Sequence, residues 1–248
     1  MDSFRIKIAD LVTEVQPLFE STRDYCRKYL SDETPDYHIC ITEDDLIFEQ
    51  KMLDIEAVEE GLKRRRFSGP FLERTAIQRK IAEKLLEYNT LLMHGSTVGL
   101  DGYAYLFTAH CGTGKSTHTR LWREVFGERA IMINDDKPFL QVRQGHVVAF
   151  GSPWSGKHGL DHNIALPLKG VCILSRGSVN RICATLPEDA AEMLRHQCMI
   201  PANPVLQAKA LSLVDDLMNF VPLWKMECTK DPEAARISWS AMSANTET

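Results

Sequence analysis

Nine consecutive residues, Ala109-His110-Cys111-Gly112-Thr113-Gly114-Lys115-Ser116-Thr117, gather two glycines, a lysine and three hydroxyls between an apolar strand pattern and a helix pattern through Leu121, Trp122, Val125 and Phe126. A nucleotide phosphate needs closely approaching backbone N–H groups, which glycine permits. It also needs a cation for the outer phosphates, a hydroxyl for magnesium and the partial positive charge of a helix N-terminus. His110, Cys111, Gly112, Thr113, Gly114, Lys115, Ser116 and Thr117 supply those parts as a P-loop for nucleotide phosphates and Mg2+, with Lys115 on the phosphates and Ser116 on the metal. Ala109 stands where the strict pattern has its first glycine. Cys111 is the one cysteine of seven expected to react first and to be shielded by nucleotide.

One crossover later, the apolar run Ile131-Met132-Ile133 empties into Asn134-Asp135-Asp136-Lys137-Pro138. Two carboxylates at a strand end can divide labour, one holding Mg2+ and the other taking a proton from an attacking group. Upstream, Met93-His94-Gly95-Ser96 is expected on the strand paired to the one that enters the glycine loop, so that a hairpin returns His94 toward the phosphates. A glycine-rich, aromatic and basic stretch, Gly151-Ser152-Pro153-Trp154-Ser155-Gly156-Lys157-His158-Gly159 followed by Asn163, suits a loop that grips an acceptor. Trp154, Lys157 and Asn163 are its candidate substrate residues. Arg176 and Arg181, flanking Gly177-Ser178, read as surface arginines.

Taken together, the His94, glycine-loop and Asp135-Asp136 segments resemble the HPr kinase/phosphorylase superfamily and its relative phosphoenolpyruvate carboxykinase. The stretch after Gly151 looks like that of uncharacterised HPr-kinase-related bacterial proteins. The resemblance covers roughly residues 91 to 175 and implies a P-loop kinase core on a mixed sheet. It places Lys115 at the β and γ phosphates, Ser116 on the metal, Asp135 on the metal or its water, Asp136 as catalytic base and His94 beside metal or phosphate, the duties of the two aspartates being exchangeable. It implies an ATP- and Mg-dependent phosphotransferase acting on a hydroxyl: a serine of a protein or peptide, or a small-molecule alcohol. An ATP-binding switch or assembly protein is the alternative, and a carboxykinase-like lyase a third. The segment after the aspartates does not support HPr itself as acceptor, and the chain is short for the large substrate domain of the carboxykinases.

The elements that must position these residues are an α/β chain. Of 248 residues, 44% are hydrophobic and 25% charged, enough for a core without disulfide or metal staples. The net charge of −5 provides no general attraction to nucleic acid or anionic lipid. No apolar stretch approaches a membrane span, which argues for a cytoplasmic protein; an oligomer is compatible with the composition. The seven cysteines form no C-x-x-C pair. A boundary at Ser68-Gly69-Pro70 separates a small N-terminal α+β unit, 1–68, from a P-loop kinase-like domain, 69–248. In the first, strands are expected over 4–8, 37–42 and 46–50, a helix from Ser21, and the basic run Lys63 to Arg66 as a solvated linker. In the second, a long helix follows Pro70, then a strand over 91–98, a tight turn at 99–102 and a strand over 103–108. Later strands are expected at 130–133, 139–142, 146–150, 171–174, 181–185 and 223–228, with helices over 187–199, 204–220 and 232–242. So short a connection at 99–102 forces antiparallel pairing and hence a mixed sheet. The tail after Met242 is expected to be disordered.

Overall fold

The computed structural model describes residues 2–59 and 61–244. The chain divides into two compact units on either side of the junction between Lys84 and Leu85. Residues 245–248, on which most of the expected polar tail falls, lie outside the described residues.

The first unit holds a three-stranded sheet of β1 (Phe4–Ile8), β2 (Leu11–Gln16) and β3 (Tyr37–Cys40), with β1 and β2 antiparallel and β2 and β3 parallel. Ala9 and Asp10 turn the chain between β1 and β2 with φ of 50° and 66°. Without a glycine, this turn carries no strong sequence signal, and β2 is an unexpected strand. Helix α1 (Ser21–Tyr25) passes into a single tight turn at Arg27–Tyr29. The expected strand over 46–50 is instead part of helix α2 (Glu43–Glu59). Thr42 begins a reciprocal cap there: its backbone N–H donates to Asp45 Oδ2 at 2.9 Å, and the N–H of Asp45 donates to the Thr42 carbonyl at 3.1 Å. The acidic triplet Glu43-Asp44-Asp45 is thus a favourable first helical turn, not a hairpin. Helix α3 (Gly69–Leu85) opens on Gly-Pro and buries Leu72, Ala76, Ile77 and Ile81, while Arg79 ties it to the buried Glu49 of α2 at 2.6 Å. The basic run is exposed, and the Gln50 side chain pins its exit by hydrogen bonds to Arg65 O and Phe67 N.

The second unit is built on a curled, mixed nine-stranded sheet. Its elements are β4 (Thr90–Leu92), β5 (Ser96–Leu100), β6 (Tyr103–Thr108), α4 (Lys115–Phe126), β7 (Ala130–Asn134), β8 (Phe139–Arg143), β9 (His146–Phe150), β10 (Ala165–Arg176), β11 (Arg181–Ala184), α5 (Pro187–Gln197), α6 (Pro204–Phe220), β12 (Leu223–Cys228) and α7 (Glu233–Ser243). The main path runs β4-β8-β9-β10-β6-β5-β7, with β12 joined to β10 and β11 to β12. Strands β5 and β6 are antiparallel, as their short connection requires, and Asp101 and Gly102 turn with φ of 52° and 84°. The twelve-residue β10 pairs antiparallel with β9 at its start and parallel with β6 and β12 further on.

Side-chain alternation along β6 shows why the sheet is covered on both faces. Ala104 and Leu106 enter one core with Leu194 of α5 and Leu213, Val214 and Leu217 of α6. Tyr105 and Phe107 enter the other, with Leu121 and Trp122 of α4 and Ala234 and Ala235 of α7. The second core contains a polar node: Trp122 Nε1 donates to Ser238 Oγ at 2.9 Å, and His118 Nε2 lies 3.0 Å from that same oxygen.

The strand expected over 91–98 is broken. Residues Met93, His94 and Gly95 separate β4 from β5, and their N–H groups go to three partners: Pro138 O, Gln197 O and Asp136 O. A Cβ at position 95 would lie 2.6 Å from Leu106 Cδ1 and 3.2 Å from Phe107 O, so a side chain there would force the buried Leu106 to shift. His94 therefore sits just ahead of the hairpin strand, not within it. No helix among the described residues is long and apolar enough to cross a membrane.

Candidate functional site

The glycine loop leaves the buried C-terminal end of β6 and enters α4 at Lys115. Gly112 and Gly114 adopt φ of 74° and 125°, which a side chain would strain. Ala109 keeps its φ outside the left-handed region and is fully buried, so its methyl group is accommodated where a glycine was the pattern's choice. Its carbonyl accepts from Lys115 Nζ at 3.0 Å, folding the lysine back across its own loop. Lys115 is 8% exposed. Burial lowers its pKa, partly opposed by the negative charges of Asp136 and Asp135. Ser116, His110 and Cys111 are exposed, Thr113, Gly114 and Thr117 partly so.

Strand β7 delivers the carboxylates. Asn134, fully buried at its end, donates from Nδ2 to the backbone and side-chain oxygens of Ser152, and its Oδ1 accepts from the N–H groups of Asp136 (2.8 Å) and Lys137 (2.6 Å). That side chain fixes the turn carrying Asp135 and Asp136. The two aspartates are then separated by environment. Asp135 is 7% exposed and accepts from Ser96 Oγ at 2.7 Å, and that hydroxyl also meets Thr119 Oγ1 at 2.7 Å, linking the carboxylate to β5 and α4. Asp136 is more open and lies with Oδ1 3.3 Å from His94 Nε2.

Burial raises the Asp136 pKa, but the His94 hydrogen bond and the charges of Lys137, His94 and Lys115 outweigh it and hold the carboxyl below its ordinary value. The Asp136 hydrogen bond acts to raise the imidazole of His94, while burial and the charges of Lys137 and Lys115 prevail and lower it. At pH 7 the pair is accordingly a carboxylate accepting from a neutral imidazole Nε2–H. The structure thus brings together His94, Lys115, Asp135 and Asp136 from three separate segments. It adds Lys137 and the positioning residues Asn134, Ser96 and Thr119, which sequence patterns did not single out because each is an ordinary polar residue in its own segment.

Of the candidate substrate residues, Trp154 is buried, with its ring 6.4 Å from that of Phe139, while Lys157 and Asn163 are exposed. The loop that bears them is fastened to β7: His162 N donates to Ile133 O, Ser155 Oγ to Asp161 Oδ1 at 2.6 Å, and Asn134 bridges to Asp161. Its Gly156, at φ 67°, faces Asp136 so closely that a Cβ there would touch the Asp136 Cβ at 3.4 Å. Arg176 is exposed, as expected of a surface arginine, but it is also tied to the glycine loop. Its guanidinium donates to Gly112 O and, at 3.2 Å, to Thr113 O.

No protein-family model matches the chain, and no curated protein matches it. Among solved structures, the HPr(Ser) kinase/phosphatase from Coxiella burnetii is similar over 62% of this chain and 99% of that chain, with 11% identity and a TM-score of 0.33. The reading of the site rests on its own geometry.

Proposed function

We propose that this protein is an ATP- and Mg-dependent phosphotransferase whose acceptor is a hydroxyl. The observation that carries the reading is the meeting of the glycine loop and its lysine with the ionised Asp136 and its neutral His94 partner. A simple nucleotide binder has no use for a base held beside its phosphate lysine.

The residues fit both groups. The left-handed glycines and the start of α4 suit phosphate oxygens, and Lys115 Nζ donates to a neutral carbonyl, that of Ala109, which a charged phosphate would replace with a stronger partner. Among the described residues no group of three or more His, Cys, Asp or Glu is placed to hold a metal. That agrees with magnesium arriving with the nucleotide, since this ion is commonly held by one or two carboxylates plus phosphates and water. Ser116 and Asp135 would hold it, and it would supply charge neutralisation at the phosphates.

Asp136 accepts the acceptor's hydroxyl proton while the new oxygen–phosphorus bond forms and the bond from the γ phosphorus to the β,γ-bridging oxygen breaks, that oxygen leaving on ADP. His94 Nε2–H fixes the carboxylate's orientation. Lys115 offsets charge on the outer phosphates. The acceptor enters past the Gly156 turn, and Trp154, Lys157 and Asn163 belong to the loop that we assign to it. A serine of a protein or peptide and a small alcohol both meet this chemistry.

MgATP at a hundredfold excess over Kd stabilises the folded state by about 2.7 kcal/mol, a Tm rise of roughly 5 to 10 °C at about 2 to 4 °C per kcal/mol. Lys115→Ala sharply reduces that rise. Transfer of γ-labelled phosphate to a component of a fractionated extract supports the kinase. Release of phosphate with no labelled acceptor favours a nucleotide switch, and bicarbonate-dependent turnover of phosphoenolpyruvate a lyase.

A further inference from the structure

Arg176 stands at the C-terminal end of β10, the strand that pairs parallel with β6 and so ends beside the glycine loop. Its side chain is exposed, yet two of its nitrogens reach consecutive loop carbonyls: Nη2 donates to Gly112 O and Nε to Thr113 O. A guanidinium presents parallel donors in one plane, so this contact fixes the orientation of two successive peptide units, which a lysine cannot do.

The base of the side chain is held with equal care. Arg176 pairs with Cys228 of β12, Gly177 N donates to Cys228 O at 3.2 Å, and Ser178 N donates to Glu227 Oε1 at 3.2 Å. A Cβ on residue 177 would fall 1.8 Å from Glu227 Oε1, so a side chain there would push the Glu227 carboxylate away from its contact with Ser178 N.

We infer that Arg176 is a positioning residue for nucleotide binding: by holding the Gly112 and Thr113 carbonyls toward β10, it orients the peptide unit whose other end is the Gly114 N–H so that this donor faces the phosphates before nucleotide arrives, while the Thr113 N–H closes the loop's own turn on His110 O at 3.2 Å. The inference rests on the glycine loop being a phosphate site. It extends that reading to a residue of a different strand, and it gives Gly177 and Glu227 a function at a distance, as the mount for the arginine. Preorganised donors spare a ligand the cost of ordering them.

The test compares MgATP affinity by calorimetry in the full chain for wild type, Arg176→Ala, Arg176→Lys, Gly177→Ala and Lys115→Ala, with Arg195→Ala as a control for loss of an exposed charge. Circular dichroism verifies the fold of each. Amide hydrogen exchange over 110–117 is followed without nucleotide. Arg176→Ala is expected to raise Kd roughly tenfold, as the loss of about two modest hydrogen bonds implies, and to speed exchange in the loop while exchange in the α5 and α6 core is unchanged. Arg176→Lys falls between, millimolar methylguanidinium partly restores the alanine variant alone, and Gly177→Ala shifts Kd in the same direction. Wild-type affinity and wild-type loop exchange in Arg176→Ala, with binding lost in Lys115→Ala, would overturn this inference and leave the phosphate site standing. Absence of MgATP binding by wild type would overturn both.

Discussion

Acidification from pH 7 to pH 5 tests the polar node that joins α4 to α7. His118 is 2% exposed, its ring lies 4.5 Å from that of Phe107, its Nε2 meets Ser238 Oγ, and its Nδ1 has no hydrogen-bond partner among the described residues. Burial pushes its pKa down to about 4. In the unfolded chain a histidine titrates near 6.5, so below that pH the unfolded state takes up the proton first. The contribution is therefore fully present above about pH 6.5 and is lost as pH falls toward about 4. The gap in pKa corresponds to about 2 kcal/mol lost by pH 5 and about 3 kcal/mol well below pH 4. Urea unfolding followed by tryptophan fluorescence reports the second unit alone, because Trp122, Trp154, Trp224 and Trp239 all lie in it. His118→Gln keeps a polar group near Ser238 and cannot become charged, so it should lose about 2 kcal/mol less than wild type over the same interval. His94, also depressed, titrates in both proteins and cancels in the difference. Equal losses in wild type and variant would refute the assignment of a neutral, buried imidazole at this node.

Three further outcomes follow from the site. Asp136→Asn should keep MgATP binding and lose roughly 10² to 10⁴-fold in turnover, measured as labelled phosphate transferred per enzyme; near-normal turnover places the base elsewhere. Asn134→Ala removes the acceptor for two backbone N–H groups and the donor to Ser152, and should lower melting temperature by several degrees, at roughly 1 to 3 kcal/mol for a buried group left unsatisfied. Brief alkylation followed by peptide mapping should label Cys111, protect it with MgATP, and leave the buried Cys26, Cys172 and Cys198 unmodified, since burial raises the pKa of all three; equal labelling of Cys111 with and without nucleotide would separate that thiol from the phosphate site.

The second unit was legible because its elements carry strong local signals. Helix α6 begins at Pro204 behind the Asn203 cap and ends at Phe220, where the sequence pattern put both ends. The Asp101-Gly102 turn dictated antiparallel pairing. Where reading failed, the deciding contacts lie far off in sequence or the periodic signal is missing. Helix α2 exposes Ile47, Phe48, Met52 and Ile55 and buries Glu49 and Gln50, so its apolar residues mark no core face. Its short run Leu46-Ile47-Phe48 imitates a strand. His94 lies ahead of β5 and not within a strand, since the break at Gly95 is set by Leu106 and by the Asp136 turn. Arg176 looks like any arginine beside a polar turn until β10 is paired with β6. The environments that distinguish Asp135 from Asp136, a hydroxyl pair for one and His94 for the other, also arise only in three dimensions.

The tight hairpin at Asp101-Gly102 offers a practical handle. Strand β6 runs from this turn to the glycine loop, and its six residues extend roughly 20 Å. Asp101 and Gly102 are exposed, and the Arg129 ion pair that meets Asp101 is a surface contact of small energetic weight. A fluorophore, an affinity tag or a tether to a solid support attached here would sit at the far end of the strand from the glycine loop. It would also be joined to that loop by the rigid backbone of a central strand, so labelled protein could report on nucleotide arrival, or be immobilised for acceptor screening, without an attachment point on the reacting face.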